Sequence, residues 1–121
     1  MKTPNEILLR VLKDYLSRFG QVHTEVVFSK IMPTKRRFRA DFFLEPNVIV
    51  EVNGGQWVGG RHNRGGSYEK DLEKMNLAQA NGFMYFQYTY EMLRRGAYNE
   101  IGEKLQKDKR KHTEDKAGAS L

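Results

Sequence analysis

The spacing of apolar side chains predicts where helices and strands begin and end. Between residues 5 and 18, apolar positions recur every three or four residues, which indicates an amphipathic helix capped by Thr3 or Asn5 and stopped by Gly20. The residues in this pattern are Ile7, Leu8, Val11, Leu12, Tyr15, Leu16 and Phe19.

Three strands are expected after this helix. The first covers residues 21–30, and the second and third cover 38–44 and 48–53. Glu45-Pro46-Asn47 has the composition of a turn, so the second and third strands are predicted to form a hairpin. Val48-Ile49-Val50 is a continuous apolar run, as expected of a central strand covered on both faces.

A glycine-rich loop separates this hairpin from the remaining elements. Residues 54–66 contain six of the eleven glycines, a composition that packs little and suits close approach to a ligand. A helix over 67–81, a strand over 83–88 and a last helix over 91–107, bent near Gly96, are predicted to follow.

The predicted order of elements is therefore αβββαβα. The helix between the third and fourth strands is long enough for a right-handed crossover, which makes those two strands parallel. We expect an α/β (α+β) fold in which helices flank a mixed four-stranded sheet. One domain is expected over residues 1–107, followed by a charged, flexible tail over 108–121.

The composition excludes several classes of function. The chain has no cysteine, which rules out disulfides, thiolate zinc sites and cysteine nucleophiles. No segment approaches the roughly 18 consecutive apolar residues of a membrane span, and no signal-peptide pattern follows Met1. We therefore expect a cytoplasmic protein that does not act at a membrane.

The charge balance favours a polyanionic partner. The net charge is +6, and basic surfaces bind phosphate backbones through counterion release, although acidic proteins and anionic membranes also attract them. A basic cluster in the loop after the first strand is expected to contact DNA beside the reacting site. It consists of Lys30, Lys35, Arg36 and Arg37.

The glycine-rich loop carries a second group of basic residues. Arg61 and Arg64 are expected to hold the nucleic-acid backbone. His62 lies between them and has three interpretations: a general acid or base near neutral pH, a phosphate contact, or a loop residue without a chemical role. We favour the phosphate contact.

Two acidic residues occupy the strand ends that the hairpin brings together. Asp41 lies at the start of the second strand and Glu51 at the end of the third. Carboxylates beside an apolar wall are unfavourable unless they are compensated, and Mg²⁺ compensates them while leaving positions for water and phosphate. This pattern predicts metal-dependent cleavage of nucleic acid. The alternative is that both acids are solvated and pair with Arg39 or Lys74.

A longer pattern extends from this acid pair. Asp41 precedes Glu51-Val52-Asn53-Gly54-Gly55, and the helix segment 69–74 and the aromatic segment 82–89 follow. In this order, residues 38–93 resemble the PD-(D/E)xK nuclease superfamily, and within it the small branch related to the very-short-patch repair endonucleases. The resemblance implies a restriction-endonuclease-like core and an Mg²⁺-dependent endodeoxyribonuclease in which Mn²⁺ substitutes for Mg²⁺.

The resemblance also implies a set of metal ligands. Asp41 and Glu51 would hold the ion, and the Val52 carbonyl would be a third ligand. Glu6 on the first helix would complete the set, because superfamily members often supply an acid from this helix. The alternative for Glu6 is an acid in the first helical turn that complements the helix dipole.

The chain departs from the superfamily pattern at one position. Members usually have a lysine two residues after the second acid, where this chain has Asn53. The resemblance permits the lysine to come from the neighbouring helix, as Lys70 or Lys74, which are one turn apart. Asn53 is the other candidate and would hold a water or a phosphate oxygen. Gln87 of the last strand is expected to line the same site.

The substrate expected from these features is double-stranded or branched DNA. A symmetric homodimer would suit a branched substrate, and by analogy the chain belongs with nucleases of phages, mobile elements or DNA repair. A DNA-binding module that has lost cleavage is the first alternative, because of Asn53. A structural or protein-interaction domain is the second, although it leaves the acid pair and the glycine-rich loop unexplained.

Overall fold

The computed structural model describes residues 2–53, 57–58, 61–62 and 66–119. In this part of the chain the helices are α1 (Pro4–Leu16), α2 (Gly66–Ala80), α3 (Tyr90–Arg94) and α4 (Asn99–Ala119). The strands are β1 (Val22–Val27), β2 (Arg39–Leu44), β3 (Val48–Val52), β4 (Trp57–Val58), β5 (Arg61–His62) and β6 (Met84–Tyr88). No helix in these ranges is long and apolar enough to cross a bilayer.

The main sheet has the order β1-β2-β3-β6. The β1–β2 and β2–β3 pairs are antiparallel, and β3 pairs with β6 in parallel through the α2 crossover. The prediction of a mixed four-stranded sheet flanked by helices is therefore confirmed. Val48, Ile49 and Val50 are almost fully buried, because the central strand β3 is covered on both faces.

The two faces of the sheet carry separate hydrophobic clusters. Helices α1, α3 and α4 cover one face, where Leu12, Leu93 and Ile101 pack against side chains of β2, β3 and β6. Helix α2 covers the other face, where Ala78 and Phe28 pack against Ile49. The acidic ends of β2 and β3 thus lie between two layers of helix.

Helix α1 begins with a capping box. Thr3 Oγ1 accepts a hydrogen bond from the Glu6 N–H (3.2 Å), and Glu6 Oε2 accepts one from the Thr3 N–H (3.4 Å). Pro4 occupies the first turn, where its missing N–H is not needed. Thr3, rather than Asn5, is therefore the cap.

Three elements differ from the predicted boundaries. Strand β1 ends at Val27 instead of Lys30, because Phe28–Lys30 form a short 3₁₀ turn that buries Phe28 beneath α2. Within the loop after β3, the strands β4 and β5 pair as a two-stranded ribbon. Helix α4 continues to Ala119, beyond the predicted end near Lys107.

The break in the last helix was predicted correctly. Helices α3 and α4 are separated by a turn at Gly96, whose φ of +75° is unfavourable for residues with a side chain. Glu25, in the middle of β1, also has a positive φ, of +54°, although it is not a glycine. For a residue other than glycine such a conformation is uncommon and unfavourable.

Candidate active site

Strands β2 and β3 separate at the open end of the hairpin. Their paired register ends with Phe42 opposite Val50, so Asp41 and Glu51 are the next residues to face one another. Beyond this point the backbone N–H groups of the two strands donate to carboxylates and not to backbone carbonyls. The Asp41 N–H donates to Glu51 Oε2 (3.0 Å), and the Val52 N–H donates to Asp41 Oδ2 (2.8 Å). Each carboxylate is thus held by the backbone of the opposite strand, and the two acids converge.

Glu51 is the buried member of this pair. It is 3% exposed, and its Oε1 accepts a hydrogen bond from the Tyr85 hydroxyl (3.2 Å) and forms an ion pair with Lys74 Nζ. The pKa of Glu51 is raised to about 7, because burial, which raises it, outweighs the Lys74 ammonium, which lowers it, and the negative charge of Asp41 also raises it. A buried carboxylate with this pKa is only partly compensated by its neighbours.

This shifted pKa has a measurable effect on stability. The pKa of Glu51 is about 7 in the folded protein and 4.5 as its ordinary value, so between these pH values the folded chain binds more protons than the unfolded chain. We expect ionisation of Glu51 to lower the free energy of unfolding, by on the order of 3 kcal/mol, as pH rises through this window. Urea denaturation in EDTA, compared between the wild type and Glu51→Gln at each pH, isolates the effect. Identical pH profiles for the two proteins would contradict it.

Of the two candidate lysines, the structure brings Lys74 to the acid pair. Its side chain is only 18% exposed, and Nζ lies 5.7 Å from the centre of the Phe28 ring. Lys70 is exposed one turn earlier on α2. The alternative that Glu51 pairs with Lys74 is therefore partly right, but Glu51 is buried rather than solvated. Arg39 lies beside Glu25 instead (3.9 Å).

Tyr85 was missed in the sequence analysis. In the parallel register, Tyr85 is opposite Ile49 and Gln87 is opposite Glu51. Side chains two residues apart in a strand lie on the same face, so Tyr85 shares its face with Gln87. The register could have identified Tyr85 once Gln87 was placed in the site.

Asn53 and Gln87 form a side-chain pair beside Glu51. Asn53 Nδ2 donates to Gln87 Oε1 (2.6 Å), and the Asn53 N–H donates to the Tyr88 carbonyl (2.8 Å). Gln87 Nε2 also lies 4.0 Å from Met75 Sδ on α2. Both predicted site residues are thus adjacent to Glu51 along β3 and β6, and they are held by each other, by the Tyr88 carbonyl and by Met75.

Asp41 is the member of the pair that can be reached from solvent. It lines a cleft of about 690 Å³ between α1 and the ends of the strands, together with Val52, Leu9 and Tyr90. Glu51 is not part of this lining. A ligand in the cleft therefore meets Asp41 first, with Glu51 behind it.

The structure does not bring Glu6 to this cleft. Its side chain is exposed and engaged in the capping box, and it is absent from the cleft lining. Over residues 2–53 and 68–110, no three acidic or histidine side chains are close enough to share a metal ion. Two carboxylates, Asp41 and Glu51, are the acids that converge.

The predicted DNA contacts fall in two places. Arg36 forms an ion pair with Glu73 of α2 (2.7 Å) and lies over the Phe38 ring (4.5 Å), while Lys35 and Arg37 are exposed in the same loop. This loop is on the α2 side of the sheet and contributes nothing to the cleft lining.

The remaining predicted contacts lie in the glycine-rich loop. Arg61 and His62 form β5, but their side chains lie outside the described part of the structure, as does Arg64. Their roles as phosphate contacts therefore stay predictions.

Comparison with known proteins supports the fold. No protein-family model matches the chain, and no curated protein matches it. Among solved structures, it is similar to the catalytic domain of the homing endonuclease I-Bth0305I, with a TM-score of 0.52 and 18% identity over 88% of this chain and 93% of that domain. The chain thus has the fold of an endonuclease catalytic domain, and its assignment to the very-short-patch repair branch stays a prediction.

Proposed function

We propose that the protein is a metal-dependent endodeoxyribonuclease that hydrolyses DNA phosphodiester bonds. The observation that carries this proposal is the divergence of β2 and β3, which brings Asp41 and Glu51 together at the inner end of an open cleft. Two converging carboxylates, one buried and one reachable, are a costly arrangement for a purely structural role. The endonuclease fold supports the same function.

The residues present fit a hard divalent cation such as Mg²⁺. The donors are all oxygens, from Asp41, Glu51 and, by proposal, the Val52 carbonyl. A carboxylate that accepts a backbone hydrogen bond keeps lone pairs for a cation. Bound Mg²⁺, or Mn²⁺ in its place, would supply an activated water and stabilise charge on the phosphate. The raised pKa of Glu51 is consistent with a site in which Lys74 alone does not balance the negative charge of the acid pair.

Lys74 is the proposed substitute for the lysine missing at position 53. Its ammonium contacts Glu51 Oε1 from α2, so a cation occupies the neighbourhood that the superfamily lysine would reach from β3. We propose that Lys74 orients Glu51 and stabilises negative charge that develops nearby. Asn53 and Gln87 keep the adjacent backbone in place through their mutual hydrogen bond.

The DNA-binding part of the proposal extends to the loops. Lys35 and Arg37 are exposed and are proposed to contact DNA flanking the site, together with Arg61, His62 and Arg64. Either double-stranded or branched DNA is the proposed substrate. A homodimer is proposed as the form that acts on a symmetric branch.

A cleavage panel tests this function. Supercoiled plasmid, single-stranded, mismatched and branched DNA are incubated with Mg²⁺, with Mn²⁺ and with EDTA, and products are separated on denaturing gels. We expect strand breaks with either metal and none in EDTA. Breaks that persist in EDTA would contradict a metal-dependent reaction.

One observation favours a second function. The Lys74–Glu51 ion pair already occupies part of the acid that a metal would need, as in a scaffold that binds DNA without cutting it. This alternative predicts salt-sensitive DNA binding and intact DNA on every substrate and with both metals. The same panel, combined with a binding titration, distinguishes the two.

A further inference from the structure

We infer that the DNA strand reaches the acid pair along helix α1, where Arg10 and Lys13 contact its phosphates. This inference rests on the proposed function and assigns a substrate-binding surface that the sequence patterns did not indicate. The surface is the α1 side of the cleft, defined by Lys2, Arg10 and Lys13. We call it the α1 basic wall.

Access to the acid pair differs between the two sides of the sheet. Glu51 is 3% exposed and is screened on the α2 side of the sheet by Lys74 and Tyr85. Asp41, in contrast, lines the cleft that opens between α1 and the strand ends. A DNA strand can therefore reach Asp41 from the α1 side, whereas Lys74 and Tyr85 cover Glu51 on the α2 side.

Positive and negative side chains line different sides of the cleft. The α1 side carries the three cations of the α1 basic wall and one acid, Asp14, whereas the strand side carries Glu25 and Asp41. A phosphodiester needs cations along its backbone and the acid pair at its reacting phosphorus. The cleft offers these on opposite sides, which is the separation that such a substrate requires.

The two helix cations of the α1 basic wall are available for a ligand. Arg10 and Lys13 are exposed, lie one turn apart on α1, and form no ion pair within the described residues. Arg36 of the loop after β1 is paired with Glu73, and Arg94 is paired with Glu91. Arg10 and Lys13 are therefore available to contact a polyanionic ligand that enters the cleft beside Asp41.

The test compares two double variants that remove the same charge from different places. Arg10→Ala/Lys13→Ala removes two cations from the α1 basic wall, and Lys107→Ala/Arg110→Ala removes two exposed cations from α4, outside the cleft lining. Affinity for a fluorescent duplex of about 20 base pairs is measured by anisotropy in EDTA, between about 50 and 200 mM salt. Circular dichroism confirms that each variant is folded.

We expect the α1 variant to bind the duplex at least about tenfold more weakly than the wild type. The slope of the logarithm of the binding constant against the logarithm of salt concentration should become smaller in magnitude by about 2, or about 1 for each lost phosphate contact. The α4 variant is expected to lose less affinity. The charge-preserving Arg10→Lys/Lys13→Arg variant should stay close to the wild type. An equal or larger loss in the α4 variant would overturn the inference.

The outcomes also separate this inference from the proposed function. If the wild type binds DNA and the α1 variant loses affinity, but no metal supports cleavage, the binding surface stands and the nuclease proposal fails. If the wild type cleaves DNA and the α1 variant binds and cleaves normally, the nuclease proposal stands and this surface is wrong. A wild type that does not bind DNA at any salt concentration overturns both.

Discussion

Asp41→Asn is expected to lower the rate of Mg²⁺-dependent plasmid cleavage by about 10³-fold or more. The substitution keeps a side-chain oxygen that accepts the Val52 N–H, so the separation of β2 and β3 is retained. What is lost is the negative charge that the proposed metal needs. Loss of about 4 kcal/mol of transition-state stabilisation corresponds to three orders of magnitude in rate. The measurement is the initial rate of nicking under single-turnover conditions.

Asp14→Asn is the matched control for this variant. Asp14 lines the same cleft from α1, and its replacement removes the same charge without touching the acid pair. We expect cleavage by this variant to stay within a few-fold of the wild type. Full activity in Asp41→Asn, or an equal loss in both variants, would show that Asp41 has no special role in the reaction.

Lys74→Met is expected to destabilise the protein strongly at neutral and higher pH. The substitution preserves the length of the side chain but leaves Glu51 buried without its cation. Removing one partner of a buried ion pair typically lowers the free energy of unfolding by about 3–5 kcal/mol. Because Glu51 can be neutralised by protonation, the loss should shrink as the pH falls from about 8 to about 5.5. Urea denaturation of the wild type and the variant at both pH values measures the loss of free energy of unfolding. The variant is also expected to cleave DNA more slowly than the wild type.

Two further variants separate this effect from a general one. Lys70→Met alters an exposed lysine one turn earlier on α2, and we expect it to change stability by no more than about 0.5 kcal/mol. The double variant Glu51→Gln/Lys74→Met removes both charges and should recover most of the stability that Lys74→Met loses. A double variant as unstable as Lys74→Met alone would show that packing of the lysine stem, rather than the unpaired carboxylate, causes the loss.

The sheet and the acid pair could be predicted because they follow from rules that act along the chain. The turn after Leu44 folds β2 back on β3, and antiparallel pairing then places position 41 opposite position 51. The α2 crossover fixes the parallel direction of β6. Each step depends on spacing and turn composition, which are visible in the sequence.

The side chains around the acid pair could not be predicted in the same way. Whether Lys70 or Lys74 reaches Glu51 depends on the rotation of α2 about its axis, and that rotation is set by packing of Ala78 and its neighbours on the sheet. Whether the Tyr85 hydroxyl reaches Glu51 depends on the register between β3 and β6. The Glu6 carboxylate does not reach the cleft because it accepts a hydrogen bond from the Thr3 N–H in the capping box.

The ends of β1 and α4 could not be predicted from the sequence pattern either. The 3₁₀ turn that ends β1 exists because burial of Phe28 beneath α2 outweighs continued pairing, which is a tertiary effect. The extension of α4 past Lys107 is in a segment with few apolar residues, where periodicity gives no signal.

The left-handed conformation of Glu25 has a consequence for self-association. Strand β1 is an outer edge of the main sheet, and unprotected edges act as templates for strands of other molecules. At Glu25 the backbone leaves the extended conformation, so the outward-facing N–H and C=O groups on its two sides no longer continue one straight row. An added strand would lose its alignment there, which protects this edge against aggregation. If two copies of the chain act together on DNA, their contact is therefore not expected to join the sheets through β1.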